Sequence, residues 1–141
     1  MIKTIFLSLI ITMIIGSCNT EKKSPIEGSW KLVYSKNASG LTFPADIQGG
    51  QIKTWSNGYY TFVGESVQDT LKHDKYGAGT YKLDGDRCEI TRLYHYNPAM
   101  IGKNGRWLIE IRNDTLIQKS EPNENWELPE TFSTEMYVRL K

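Results

Sequence analysis

Residues 77–90, Gly-Ala-Gly-Thr-Tyr-Lys-Leu-Asp-Gly-Asp-Arg-Cys-Glu-Ile, contain two runs of alternating polar and apolar residues around a turn. Alternation with a period of two is typical of a β-strand that buries one face, and Asp-Gly is a frequent hairpin turn. A turn at Asp84-Gly85 predicts antiparallel strands at 77–83 and 86–96. The face of this hairpin that we expect to be buried carries Gly79, Tyr81, Leu83, Cys88, Ile90, Arg92, Tyr94 and Tyr96.

Two more hairpin turns are visible, at Asn57-Gly58 and at Asn113-Asp114. Strands joined by tight turns pair with their sequence neighbours, and closing such a sheet removes its exposed edges. We therefore predict an all-β fold, an eight-stranded antiparallel up-and-down barrel. Residues 66–73 are expected to form a turn or two of helix. The predicted strands are 28–35, 51–56, 59–64, 77–83, 86–96, 106–112, 115–121 and 132–140.

The tight turns also assign faces, because a two-residue turn sets the register of the strands beside it. Two charged residues, Lys53 and Arg92, fall on faces that are otherwise apolar. A buried cation without a partner costs several kcal/mol, so each of them needs a carboxylate or water. The other residues expected to face inward are Trp30, Leu32, Tyr34, Trp55, Tyr60, Phe62, Trp107, Ile109, Ile111, Leu116, Gln118 and Ser120.

Two interpretations of these inward charges stay open. Arg92 either pairs with Glu135 or lies near a wet barrel mouth, or it binds the anionic head of a ligand together with Lys53. An aromatic interior is compatible with a ligand cavity and equally with a filled core. The side chains that would line a ligand-binding lumen are Lys53, Tyr60, Tyr81, Arg92, Tyr94, Trp107 and Gln118.

The N-terminal residues carry one charge, Lys3, followed by an apolar run from Ile5 to Ile15. Eleven residues are about half of the ~20 that a membrane-spanning helix needs, so the segment is typical of a removable export signal. Gly16-Ser17-Cys18 resembles the lipobox of bacterial lipoproteins, in which a signal peptidase cleaves before the cysteine and the cysteine is acylated. This resemblance implies a lipidated Cys18.

These features predict three segments: a signal peptide at 1–17, a lipidated cysteine and tether at 18–27, and a barrel domain at 28–141. We expect the mature chain to be anchored in the cell envelope, in the outer membrane facing the periplasm, because Asn19 follows the cysteine and no acidic run comes after it. The membrane would be contacted through the lipid on Cys18.

Charge and motif content exclude several classes of function. The chain has 17 basic and 16 acidic residues, a balance that gives no basic face for nucleic acid. Lipidation of Cys18 leaves Cys88 as a lone thiol, which we expect to be buried and inert. His73 and His95 are expected at the surface, His95 on the outward side of its strand, without metal-ligand spacing. We predict no catalytic residues, no metal site, no cofactor and no enzymatic activity.

Short motifs along 26–141 resemble those of a lipocalin-like (calycin-type) family of bacterial lipoproteins whose function is uncharacterised. The motifs are Gly28-Ser29-Trp30, Ile52-Lys53-Thr54, Asn57-Gly58 with Tyr60 and Phe62, the stretch 77–83, Glu89-Ile90, and Glu135-x-Tyr137-x-Arg139. The resemblance implies a small barrel of a kind that often holds small apolar molecules. It also implies a contact between Trp30 and Arg139 that closes one end of the barrel, a structural role.

Two functions follow as expectations. The first is a membrane-anchored binding protein that sequesters or carries a small hydrophobic or amphipathic molecule. The alternative is a solid barrel, a scaffold or inhibitor-type lipoprotein that binds another envelope protein through its rim loops. These loops are 36–50 and 122–130, and Trp126 in the second is a lid, a partner contact or a residue packed over the barrel end. Cavity volume separates the two functions.

Overall fold

A computed structural model of the chain describes residues 23–141. The predicted signal peptide and Cys18 lie outside the described residues. The described part is almost entirely β-structure, with one short 3₁₀ turn at Pro98–Met100. No helix in residues 23–141 is long and apolar enough to cross a membrane.

Nine strands form one antiparallel sheet, in which sequence neighbours pair from β3 to β9. The barrel closes because β1 pairs with both β3 and β9, and the two-residue β2 adds to the edge of β1. Eight strands therefore make a closed up-and-down barrel, which confirms the predicted fold class. The strands are β1 Gly28–Lys36, β2 Thr42–Phe43, β3 Gln48–Ser56, β4 Tyr59–Gln68, β5 Leu71–Asp84, β6 Arg87–His95, β7 Asn104–Arg112, β8 Thr115–Ser120 and β9 Ser133–Arg139.

The register of the hairpin at 77–90 differs from the prediction by two residues. Tyr81 pairs with Ile90 and Leu83 with Cys88, so the turn residues are Gly85 and Asp86 instead of Asp84 and Gly85. Side chains in a strand alternate between faces, so a shift of two residues leaves every face assignment near the turn unchanged. Tyr81, Cys88 and Ile90 are buried as expected.

A β-bulge in β6 makes the predicted face assignment wrong for the residues beyond Arg92. Ala78 pairs with Tyr94 and Gly79 with Arg92, so Leu93 is an extra residue in β6. An extra residue exchanges the two faces beyond it. Tyr94, expected inside, is therefore 68% exposed, while His95, expected outside, turns inward and packs edge-on against Phe62.

A second bulge has the same effect on the first strand. Leu32 pairs with Tyr137 and Tyr34 with Met136, which leaves Val33 as the extra residue. Tyr34 was expected to face inward, but beyond this bulge Ser35 takes the inner face, opposite Glu135.

Residues 66–73 form no helix, and here the prediction is wrong. β4 and β5 continue as a long hairpin to a turn at Asp69 and Thr70, with Gln68 paired to Leu71. Residues 68–74 are all exposed and the extension is largely polar, so no alternation marks it as strand. An ion pair of 2.5 Å between Lys72 and Glu65 joins its two strands.

Candidate functional site

The two ends of the barrel differ in how they are filled. At the end that we call the closed end, three hairpin turns lie at the same end of the barrel as the start of β1, and four aromatic rings fill the interior. The ring of Trp55 lies 4.9 Å from Tyr81, 5.6 Å from Tyr60 and 5.8 Å from Trp107. The rest of this packed core is Ile26, Trp30, Cys88, Ile90, Ile109, Leu116 and Tyr137.

The Arg139 side chain covers the closed end from outside. Its guanidinium lies 4.0 Å from the ring centroid of Trp30 and donates to the carbonyls of Pro25 and Glu27 at 2.7 and 2.6 Å. The Trp30 Nε1 donates to the Ile26 carbonyl at 2.8 Å. The two residues that the family resemblance implied to be in contact are thus in contact in the structure.

The other end, the open end, holds a cavity of about 610 Å³, which we call the cup. It lies between the β4–β5 hairpin, the β1–β3 loop, the 3₁₀ turn and the segment before β9. Its apolar and aromatic lining consists of Leu32, Phe43, Ile47, Tyr60, Phe62, His95, Tyr96, Met100 and Trp107. Its ionisable lining, besides His95 and the tyrosines, consists of Lys53, Glu65, Lys75, Arg92, Glu121 and Glu135.

Lys53 lies at the floor of the cup and is 3% exposed. Its Nζ is 2.9 Å from Oε1 of Gln118 and 3.2 Å from Oε2 of Glu135. The ammonium also lies 4.9 Å from the Trp107 ring centroid and 4.7 Å from that of Tyr137. Burial lowers the pKa of Lys53, and the adjacent Glu135 carboxylate opposes that shift.

Glu135 connects the groups of the floor. Its Oε2 accepts hydrogen bonds from Lys53, from Gln118 Nε2 at 3.0 Å and from the Tyr137 hydroxyl at 2.7 Å. Gln51 in turn donates to the Tyr137 hydroxyl at 2.7 Å. Burial, together with the negative Glu135, raises the pKa of Tyr137 well above its ordinary value. The floor is thus a network in which each charge has several partners.

Arg92 forms part of the wall and is 6% exposed. One Nη donates to the Asn104 carbonyl at 3.1 Å, and the other bonds the carboxylate of Glu121. The guanidinium lies against the backbone of Gly105, where an added Cβ would be 2.7 Å from Nη2. Gly105 therefore makes room for Arg92 in the wall.

No protein-family model matches the chain, and no curated protein matches it. Among solved structures, the chain is similar to a lipocalin-like protein from Bacteroides uniformis, with 14% sequence identity and a TM-score of 0.51. The similarity covers 82% of this chain and 98% of that one. The domain has the lipocalin-like fold.

The lipocalin-like barrel brings five of the seven predicted lumen residues together in the cup. They are Lys53, Tyr60, Arg92, Trp107 and Gln118. Tyr81 instead belongs to the packed aromatic core of the closed end, and Tyr94 lies on the outer surface beyond the bulge. Both were expected in the lumen, and neither lines the cup.

Of the alternatives left open for Arg92, the pairing with Glu135 is not formed, whereas Arg92 does line the cup at the open end. Glu135 pairs with Lys53, and Arg92 pairs with Glu121, which was predicted only as the end of a strand. Tyr137 was also missed as a partner in the floor. Alternation along β9 places Glu135 and Tyr137 on the same face, a signal that would have identified both.

Cys88 is fully buried beside the aromatic core, and burial raises the pKa of its thiol to about 12. His73 is exposed on the β4–β5 hairpin. Within residues 23–141, no group of three or more His, Cys, Asp or Glu side chains is placed to hold a metal ion.

Trp126 does not line the cup of the lipocalin-like barrel. Its ring lies 5.6 Å from the Arg87 guanidinium, so the loop before β9 folds over the outside of β6. Asn123 organises this loop, because its side chain accepts from the backbone N–H groups of Asn125 and Glu127 at 2.9 and 3.0 Å. The loop thus leaves the cup uncovered.

Proposed function

We propose that the chain is a membrane-anchored lipocalin-like binding protein of the bacterial envelope. In this proposal a lipid on Cys18 holds it at the outer membrane facing the periplasm, and the cup sequesters or carries a small hydrophobic or amphipathic molecule. The observation that supports it is the cup, because a cavity of about 610 Å³ with an aromatic wall and a few buried polar groups is typical of small-molecule sites.

The charged side chains that line the cup limit the charge that a bound molecule can carry. Three cationic and three acidic side chains line it, so the lining has no net charge at neutral pH with His95 neutral. Lys53 is bonded to Gln118 and to a carboxylate that also bonds Tyr137. A ligand that displaced Glu135 from Lys53 would break several hydrogen bonds at once.

Of the two buried cations of the cup, Lys53 and Arg92, a ligand can reach Arg92 more easily. The Arg92 side chain is 7% exposed, but its partner Glu121 is 48% exposed and sits at the open end. An exposed carboxylate regains water when it leaves, so exchanging it for a ligand anion costs little. The molecule we propose is amphipathic, with an apolar part against Phe62 and Trp107 and a polar or anionic group at Arg92.

The packed closed end supports the alternative, a scaffold that binds another envelope protein through its rim loops. The barrel interior at the closed end is filled by side chains, and the ordered loop around Asn123 presents a turn to solvent. The two functions differ in one observable property, because only the first requires that a small molecule occupy the cup.

Native mass spectrometry of the unlipidated domain, purified from its own organism, tests the binding function. The expected result is a co-purified small molecule on the wild-type domain and its loss from Arg92→Met. Arg112→Met is the matched control, because Arg112 is 71% exposed on the outside and should leave the ligand bound. Absence of a bound molecule, together with no binding of the fluorescent amphiphile anilinonaphthalene sulfonate, would favour the scaffold.

The anchor is tested separately by growing cells with an alkyne-labelled fatty acid. The label should appear on the wild-type chain and not on Cys18→Ser, and the labelled chain should fractionate with the outer membrane. Labelling that persists in Cys18→Ser would contradict the proposed site of lipidation.

A further inference from the structure

The segment before β1 is attached firmly to the closed end of the barrel. The carbonyls of Pro25 and Glu27 accept from Arg139, and the Ile26 carbonyl accepts from Trp30. Ile26 itself is fully buried in the core. The chain therefore reaches the barrel at the pole opposite the cup and is held there from Pro25 onward.

The length of chain between Cys18 and Pro25 limits how the domain can stand on a surface. Six residues lie between the two positions, so the chain takes seven residue-to-residue steps from one to the other. A fully extended chain advances at most ~3.4 Å per residue, so the reach is about 24 Å.

If the domain were turned so that the cup faced that surface, the chain between Cys18 and Pro25 would have to span a longer distance. The first part to touch would be the tip of the β4–β5 hairpin, and β5 has 14 residues. At ~3.3 Å per residue and a strand tilt of about 40°, the closed end would then stand about 35 Å from the surface. The tether is shorter than this distance.

We propose that the cup opens away from the membrane that holds the N-terminus, and that its ligand enters from the aqueous phase and not from that bilayer. This inference rests on the proposed anchor at Cys18 and on the proposed binding in the cup. The partner is then a water-borne amphiphile, soluble as single molecules.

The orientation can be measured on isotope-labelled chain beginning at Cys18 and coupled to maleimide lipid in nanodiscs. Coupling is directed to Cys18, because Cys88 is buried and the pKa of its thiol is raised to about 12. Nanodiscs doped with a gadolinium-chelating lipid enhance the relaxation of nearby amides. We expect the enhancement at Gly58 and Gly85 of the closed end to exceed that at Asp69 and Gly102 of the open end at least tenfold. Equal enhancement, or a larger one at Asp69 and Gly102, would overturn the proposal.

Two controls isolate the role of the tether. Uncoupled Cys18→Ser chain with the same nanodiscs gives the background relaxation. It should show no difference in relaxation enhancement between the closed end and the open end. A 20-residue Gly/Ser insertion after Thr20 adds enough chain for the domain to invert, and the difference should shrink at least threefold. A difference that the insertion leaves unchanged would contradict the argument from tether length.

Ligand access is tested with anilinonaphthalene sulfonate on coupled and free domain. If the cup faces water, tethering changes the dissociation constant less than twofold, whereas a tenfold weakening on coupling would overturn the proposal. A probe that does not bind the free domain counts against the proposed binding function, while the relaxation measurement still decides the orientation. Lack of acylation in cells counts against the anchor alone.

Discussion

The Nζ of Lys53 lies 3.2 Å from Oε2 of Glu135 at the floor of the cup, and the exposure of the two side chains differs, 4% for Lys53 and 30% for Glu135. The pair is therefore asymmetric. The lysine depends on Glu135 and Gln118 for compensation, whereas the carboxylate has other donors and some contact with water.

This asymmetry predicts unequal costs for removing either partner. Glu135→Gln leaves a buried ammonium without a counter-charge and is expected to lower the free energy of unfolding by about 3 kcal/mol. Lys53→Met leaves Glu135 with the Tyr137 and Gln118 donors and takes one donor from the buried Gln118 carbonyl, so its cost should be about 1–2 kcal/mol. Urea unfolding at pH 7 measures both. A Lys53→Met variant that is the less stable of the two would show that the lysine is compensated in another way.

The buried thiol of Cys88 predicts a loss of stability at alkaline pH. Burial raises the pKa of Cys88 from 9.0 to about 12, so between these values the unfolded chain releases the proton and the folded chain keeps it. The stabilisation from the neutral thiol is complete below pH 9 and is lost as the pH rises toward 12. By pH 10 the loss should be about 1 kcal/mol.

Cys88→Ala separates this effect from other titrations. The variant loses packing equally at pH 8 and pH 10, so only the difference between the two pH values reports the thiol. Wild type should lose about 1 kcal/mol more than Cys88→Ala over that interval by urea unfolding. Tyr60, whose pKa burial raises to about 12, is common to both proteins and cancels. Equal losses in both proteins would mean that the thiol titrates normally.

Arg139 is predicted to stabilise the closed end without affecting the cup. Its guanidinium packs on Trp30 and holds two backbone carbonyls of the segment before β1. Arg139→Met should lower the free energy of unfolding by about 2 kcal/mol, which corresponds to roughly 6–10 °C in Tm for a domain of this size. Probe affinity should stay within twofold. Arg112→Met is the control. A Tm unchanged in both variants would show that Arg139 does not stabilise the closed end.

Alternation of side chains, with the more aromatic face taken as the inner one, predicted the inner faces of β3, β4, β7 and β8. Lys53, Tyr60, Trp107 and Gln118 are where parity places them, because the turns at Asn57-Gly58 and Asn113-Asp114 have two residues and no bulge follows. Even the two-residue error at Gly85 kept the faces, since the period of a strand is two.

The predictions that were wrong depend on contacts between strands that form only in the folded sheet, and the alternation of residues along the sequence does not show these contacts. The bulge at Leu93 lies opposite Gly79, where an added Cβ would be 2.0 Å from the Thr91 carbonyl oxygen, a contact made only in the folded sheet. Whether Glu121 or Glu135 pairs with Arg92 depends on where β8 ends and β9 begins, and both strands are distant from Arg92 in the sequence. Pairing between β1 and β9 sets which carboxylate reaches Lys53.

Because the Arg92 guanidinium lies against Gly105, we expect a larger residue at position 105 to move this cation without removing it. An added Cβ at Gly105 would lie 2.7 to 2.8 Å from both terminal nitrogens of Arg92, so Gly105→Ala should displace the guanidinium from the wall. The end of a flexible side chain can shift, so we expect the free energy of unfolding to fall by only about 1 kcal/mol. Affinity for anilinonaphthalene sulfonate should fall at least tenfold if its sulfonate binds at Arg92.

Gly50→Ala is the matched control, because Gly50 also lines the cup but an added Cβ there meets no atom within 4 Å. Its affinity for the probe should stay within twofold of wild type, and fluorescence titration measures both variants. Equal affinities in Gly105→Ala and wild type would show that the probe does not use Arg92. An equal loss in both alanine variants would mean that the probe responds to the volume of the cup and not to the position of the cation.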